Sequence, residues 1–442
     1  MAEIKEFAGY RYNTEKCRDV NAVMAAPYNV MPEDERKMFY EKSQYNIVRV
    51  SDGKTEEGDS PENNRYTRAA EYLNQWIAQG ILQKEEKPVM YLYEQRSIYK
   101  NTVFVNHGIV ALLKLEELSD DSSIKVCEET KPDFMENRYN LLSNTGANID
   151  MINCMYIDSE RALNHMMNEI SEKMPDMEFR SAESITGEIT INHLWVIDDA
   201  EKIAFIKDSL KNIRIFITDG RNRYQAALRY MKECRENDSA FTGDEPYNYI
   251  MAFLNNAYGD NLVQLPIHRI LKNNKKFSED YFIACAQDHF KVEKIIVDTS
   301  NDDLVETMKH QIETGRKKNI IGVYCGGNYF YRLTLTDEDY VKKLMPEHSE
   351  EYRTLDITVL NSLLLGELLN INKDNYDEYI DYTKRTTEGV KMINDGEAAC
   401  LFVLSIVKAE HICEVVESGE TMPEKSMYIF PKPVTGTVIN KL

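Results

Sequence analysis

No Cys-x-x-Cys pair occurs in this chain; its eight cysteines stand singly at positions 17, 127, 154, 234, 285, 325, 400 and 413. A zinc knuckle and a thioredoxin-like motif are therefore unsupported, and scattered thiols in a large acidic chain fit a reducing compartment. No run approaches the roughly 18 apolar residues of a membrane-spanning helix. The opening MAEIKEFAGYRYN carries no apolar core to serve as an export signal, so a cytoplasmic location and no membrane partner are expected. Positive charge is short as well: 53 Lys and Arg stand against 74 Asp and Glu, a net charge of −21. That balance argues against nucleic acid or an anionic membrane as partner. Repeats, low-complexity tracts and Gly/Ser linkers are also missing, so domains are expected to pack together with a site in the cleft between them.

What is present suffices for well-packed cores. Hydrophobic residues make up 43% and aromatics 10% of 442 residues, which suggests two or three domains. Helix and strand patterns alternate, so the expected fold class is mixed α/β, with interleaved regions at 1–124, 125–275 and 276–442. Residues 65–80 read as a helix with an apolar stripe of Tyr66, Ala69, Leu73, Trp76 and Ile77, stopped by Gly80. Residues 22–26 and 47–50 read as strands, and 89–93 with 103–113 as a hairpin. His193, in an apolar strand, reads as a core residue. The basic loop KNNKK at 272–276 reads as the boundary of the C-terminal region. There, Gly326-Gly327-Asn328 reads as a hairpin turn because no helix follows it, and 355–369 as one buried helix.

One stretch carries more chemistry than the rest. Residues 213–218 are β-branched and aromatic and read as a short buried strand, and Asp219-Gly220 breaks it. Tyr224, Leu228 and Met231 then share one stripe of a helix. Strand, glycine turn and helix together present backbone N–H groups to an anion. Arg223, one turn into the helix, is placed to grip the same anion with its planar fork, and Asp219 to hold Mg²⁺ or orient a hydroxyl. With 19 glycines in the chain, Gly-x-x-Arg spacing alone is uninformative; the strand before and helix after give it weight.

The stretch Asp219-Gly220-x-x-Arg223-Tyr224-x-Ala226-Ala227-Leu228 resembles the signature of domain-of-unknown-function family 1015. Further segments resemble that family in order: Ala26-Pro27-Tyr28-Asn29-Val30, Cys127-Glu128-Glu129-Thr130, Leu265-Pro266-Ile267-His268-Arg269, and Met422 through Phe430-Pro431-Lys432. Its Gly-x-x-Arg box is similar to that of the ParB/sulfiredoxin-like superfamily, which includes a free serine kinase. The resemblance implies nucleotide-phosphate chemistry, with serine or phosphoserine as substrate. Histidines of the family pattern are replaced here by Cys127, Arg221 and Asn222, while His268 remains.

These readings combine into an expected site. Gly220, Arg223, Arg221 and Asn222 bind phosphate, Asp219 takes Mg²⁺, and Glu128, Asp219 and His268 serve catalysis, His268 as proton carrier. The ligand is a phosphometabolite or a nucleotide such as ATP or ADP. The reaction expected is phosphoryl transfer, kinase- or phosphatase-like; the alternative is a regulator that binds such ligands without turnover.

Overall fold

A computed structural model describes residues 2–28, 31–99, 102–128, 133–182, 189–258, 263–273, 277–297, 301–313, 319–426 and 428–442. The chain divides into two compact units, Met1–Val263 with Ile429–Leu442, and Gln264–Tyr428. The first is built on a nine-stranded sheet. Its strands are β1 (Ile4–Lys5), β2 (Met90–Tyr99), β3 (Thr102–Lys114), β4 (Ile124–Val126), β5 (Ile152–Tyr156), β6 (Met177–Ala182), β7 (Ile189–Ile197), β8 (Ile215–Asp219) and β9 (Tyr249–Asn256). They run side by side as β4-β8-β5-β9-β3-β2-β7-β6, with β1 also on β3. The expected regions 1–124 and 125–275 thus both contribute strands to one sheet.

Strand composition follows position in this sheet. β5 and β9 are buried at every residue and read as near-continuous apolar runs, because both sheet faces are covered. Tyr91, Tyr93, Val110, Met251 and Phe253 face one core, and Leu92, Ile109, Ile152, Ile217 and Leu254 face the other. Helices α1 (Arg65–Ala78), α2 (Asp133–Thr145), α3 (Ala162–Ser171), α4 (Ala200–Leu210) and α5 (Arg221–Asn237) complete the first unit's main elements. α1 starts at a capping box, with the Asn64 side chain accepting from Tyr66 and Thr67 N–H and Thr67 answering Asn64. Gly80 follows its end at φ +64°.

The second unit carries a six-stranded sheet of β10 (His268–Lys272), β11 (Phe290–Ile296), β12 (Ile320–Tyr324), β13 (Tyr329–Leu335), β14 (Ile380–Thr383) and β15 (Ala398–Val403). Their order is β11-β13-β12-β15-β10-β14. Antiparallel pairing of β12 and β13 makes Gly326-Gly327 a hairpin turn, with φ of +116° and +80°.

Three local expectations are corrected. Residues 48–51 form a short helix rather than a strand: Asn46 Oδ1 accepts the Val48 N–H, and its Nδ2 bonds the Ala22 and Met24 carbonyls. Those side-chain bonds and burial of Ile47, Val48 and Val50 in the core outweigh β-branched propensity. Residues 20–22 likewise form a 3₁₀ turn, leaving Ala25 bridged to Thr435. Leu360–Leu368 is a π-helix continuing from the α-helical turn Asp356–Val359, rather than part of one regular helix. Among the described residues, no helix is long and apolar enough to cross a membrane.

Candidate functional site

β8 brings Ile215, Phe216 and Ile217 fully into the core, and its pairing with β5 then slips by one residue at Thr218. The slip sets Asp219 opposite Asn153, and Thr218 Oγ1 donates to the Asn153 carbonyl at 3.1 Å. Gly220 follows at φ +95°, ψ 20°, as the N-cap of α5. A Cβ here would lie 2.8 Å from Ile152 Cγ2 and 2.9 Å from both Nε and Nη2 of Arg223. Backbone conformation and the close approach of the arginine therefore each require glycine. The first intrahelical bond runs from Tyr224 N–H to the Gly220 carbonyl, so the earlier N–H groups of α5 have no carbonyl within the helix.

Charged side chains gather at this turn. Arg223 Nη2 lies 3.3 Å from Asp219 Oδ2, and Lys432 Nζ reaches the same oxygen at 3.2 Å. Burial works to raise the Asp219 pKa; Lys432, Arg223 and the Gly220 N–H outweigh it and hold the carboxyl below its usual range. Burial opposes the charge on Arg223, but Asp219 leads the groups that keep its pKa raised. Lys432 is fixed from behind, its carbonyl accepting from Gln95 Nε2 at 3.0 Å. The Tyr28 ring centroid lies 3.7 Å from the guanidinium carbon of Arg138 and 5.9 Å from that of Arg223.

The expected site residues thus fall into two groups. Asp219, Gly220, Arg221, Asn222 and Arg223 sit at the end of β8 and the first turn of α5. Glu128 joins them through the backbone: Cys127 N–H donates to the Ile217 carbonyl, and Arg221 Nη1 donates to the Glu128 carbonyl at 3.3 Å. Arg221 therefore ties the strand beyond β4 to the helix start. Asn29, Val30, Glu129, Thr130 and residues 274–276 of the KNNKK loop lie outside the described residues.

His268 belongs to the second unit, at the start of β10, and is 2% exposed. Its Nδ1 accepts the Leu404 N–H at 3.2 Å, which leaves Nε2–H to donate to Thr386 Oγ1 at 3.0 Å. Burial, with Lys309 and Arg269 adding to it, pushes its pKa down to about 3. A neutral ring with both nitrogens engaged opposes the proton-carrying role expected from sequence. His193, read as a core residue, is 13% exposed in its side chain and bonds Glu94 and Glu178 through its two nitrogens.

Asp219 does not fit a resident Mg²⁺ in this arrangement, because two cations already face its carboxylate. Among the described residues, no three His, Cys, Asp or Glu side chains converge as a metal site. Sequence reasoning missed Lys432 and Tyr28, which the structure places beside Asp219 and Arg223. Lys432 and Tyr28 lie within the quoted segments Phe430-Pro431-Lys432 and Ala26-Pro27-Tyr28, and that shared membership was the available signal.

A glycine turn at a strand–helix junction, flanked by partly buried arginine and lysine in a mixed α/β unit, is an arrangement chemically able to hold an anion. The family described as "Protein of unknown function (DUF1015)" matches residues 4–358. The chain belongs to that family. No curated protein matches the chain. Among solved structures, a conserved hypothetical protein from Pyrococcus furiosus is 11% identical with a TM-score of 0.31, covering 72% of this chain and 92% of its own. A free serine kinase in complex with AMP is 10% identical with a TM-score of 0.32, covering 72% and 87%. SbnI with a C-terminal truncation, from Staphylococcus aureus, is 10% identical with a TM-score of 0.33, covering 74% and 85%. Likenesses this distant assign no residue roles here.

Proposed function

We propose that the first unit binds a phosphate-bearing small molecule, a nucleotide or phosphometabolite, at the Gly220 turn and transfers its phosphoryl group. The observation that carries this reading is the left-handed Gly220 under Arg223, with Lys432 and Arg223 both on Asp219. An arriving phosphate replaces Asp219 as the partner of one or both cations and meets the N–H groups at the start of α5. Phosphoryl transfer demands mainly positioning and charge neutralisation, which two cations and a helix N-terminus supply. Asp219, kept ionised by whichever cation stays beside it, then orients the attacking hydroxyl, with Glu128, just past β4, as second carboxylate. A Mg²⁺ carried by the phosphates of ATP or ADP supplies charge neutralisation when bound.

A second reading, a regulator that binds without turnover, is favoured by one observation: the retained motif histidine, His268, is buried, neutral and fully hydrogen-bonded. Incubation of the protein with Mg²⁺, ATP or ADP, and serine or phosphoserine, following transfer of labelled phosphate, separates the two. Transfer that Arg223→Ala abolishes supports the enzyme. Binding of nucleotide without transfer, at any acceptor tried, supports the regulator.

A further inference from the structure

Beside the Gly220 turn, the first unit has a second, half-open space of mixed polar and apolar lining. A cavity of about 40 Å³ is lined by Arg138, Arg223, Asp150, Asn148, Leu141 and Ile250, among others. One water needs roughly 10–15 Å³, so the cavity suits an oxyanion-sized group rather than a whole nucleotide. Arg138 is 7% exposed and the Arg223 side chain 11%. The Nε of each has no hydrogen-bond partner among the described residues. Arg138 is otherwise held by Nη1 on the Ser51 carbonyl at 3.3 Å and by its stacking on Tyr28.

Charge in this space is unevenly paired. Arg223 holds Asp219, and Asp150, which also accepts from the Thr435 hydroxyl, lines the cavity, but Arg138 forms no ion pair among the described residues. Asp52 is within electrostatic reach of Arg138 and Arg36, and burial pushes its carboxyl up. A guanidinium does not shed its proton, and a buried one left unpaired is costly. Two guanidinium forks beside a small cavity match a planar or tetrahedral oxyanion.

We infer that this cavity is a second oxyanion subsite, held by Arg138 and Arg223, and that the ligand of the Gly220 turn carries two anionic groups. The inference rests on the phosphate-binding reading of that turn. Arg223 serves both subsites, whereas Arg138 serves the second alone. The second group is a carboxylate or a further phosphate, which share this chemistry and are told apart by the probes below.

Calorimetry on the full chain uses phosphoethanolamine, with one anionic group, O-phosphoserine, with phosphate and carboxylate, and pyrophosphate, with two phosphates. Wild type should bind one of the two-anion probes at least roughly 10-fold tighter than phosphoethanolamine, the worth of one charge-assisted bond. Preference for O-phosphoserine identifies a carboxylate, and preference for pyrophosphate a phosphate. Arg138→Met should erase that preference while leaving phosphoethanolamine within about 3-fold of wild type. If Arg138→Met does not fold, Arg138→Lys decides, since it keeps the charge and lacks the planar fork: a reduced preference supports the subsite, and an unchanged one overturns it. Equal affinity of wild type for all three probes, or equal weakening of all three by Arg138→Met, overturns the inference. In either case Arg223→Ala should still weaken phosphoethanolamine if the Gly220 reading holds. Unchanged phosphoethanolamine binding in Arg223→Ala, or no binding of any probe to wild type, overturns that reading and the inference with it.

Discussion

One buried polar cluster in each unit shows two ways of treating such groups. In the second, His268 is closed off by Thr386 and the Leu404 N–H, and Asp356 accepts from Ser405 at 2.5 Å and Asn319 at 2.8 Å. In the first, the Nε atoms of Arg138, Arg221 and Arg223 are buried without a partner among the described residues, and all three belong to helices entering one region of the sheet. A satisfied buried group stabilises a fold and resists titration. An unsatisfied one is a standing cost that a ligand can remove, so it marks where binding energy is available. This contrast, rather than the residue types themselves, is why the proposed site rests on Arg223 and not on His268.

The contrast is most severely tested at Gly220. Gly220→Ala forces a left-handed φ on an L-residue, costing about 1–3 kcal/mol of stability. It also sets a methyl group 2.9 Å from the Arg223 head, so phosphate affinity should fall by roughly 100-fold or more, at the upper end for losing a charged bond. Urea melts and calorimetry read the two effects separately. A variant that keeps wild-type affinity would remove the cradle from the site.

His268→Gln breaks the other side of the comparison. The ring's pKa is lowered to about 3 in the fold, below the ordinary value of 6.5. The unfolded chain therefore binds a proton between those values that the folded chain does not, and stability falls as pH drops through that window. The group should contribute a slope amounting to a few kcal/mol across it, present in wild type and flattened in His268→Gln. At neutral pH the substitution should cost about 1–3 kcal/mol through the unpaired Leu404 N–H and Thr386 hydroxyl, with phosphate affinity unchanged. A large loss of turnover at wild-type stability would return His268 to the catalytic set.

Arg223→Ala should leave the fold in place and weaken a phosphate-bearing ligand by about 1.5–3 kcal/mol. Unaltered affinity by calorimetry would sink the anion-clamp reading.

How far these roles were legible in the sequence depends on how local their causes are. The break after residue 218 and the helix after Gly220 follow from β-branched residues, a glycine and a helical stripe within one short stretch. Nothing local says that Lys432 reaches Asp219, because that contact is made by the chain returning to the first unit after residue 428. Burial decided against sequence at His268 as well: the residue type suggests a proton carrier, and β14 and β15 on either side of β10 make it a neutral strut. Residues 47–50 failed for the same reason, their β-branched pattern being overruled by the bonds of a single asparagine from the preceding turn.

The smallest expected effect is the most discriminating within the first unit. Arg221 stands in the first turn of α5 beside Arg223, and a sequence view treats both as phosphate ligands. Its Nη1 instead holds the Glu128 carbonyl, and its side chain is half-buried against the strand beyond β4. A positioning role of that kind is worth about one ordinary hydrogen bond, roughly 0.5–1.5 kcal/mol. Arg221→Ala should therefore lower phosphate affinity by less than about 3-fold, well under the loss in Arg223→Ala. Its larger effect should fall on the backbone it anchors, as faster amide exchange at Cys127 and Glu128. If affinity falls as far as in Arg223→Ala while exchange there is unchanged, Arg221 is itself a phosphate ligand, and its bond to Glu128 gives way when the anion binds.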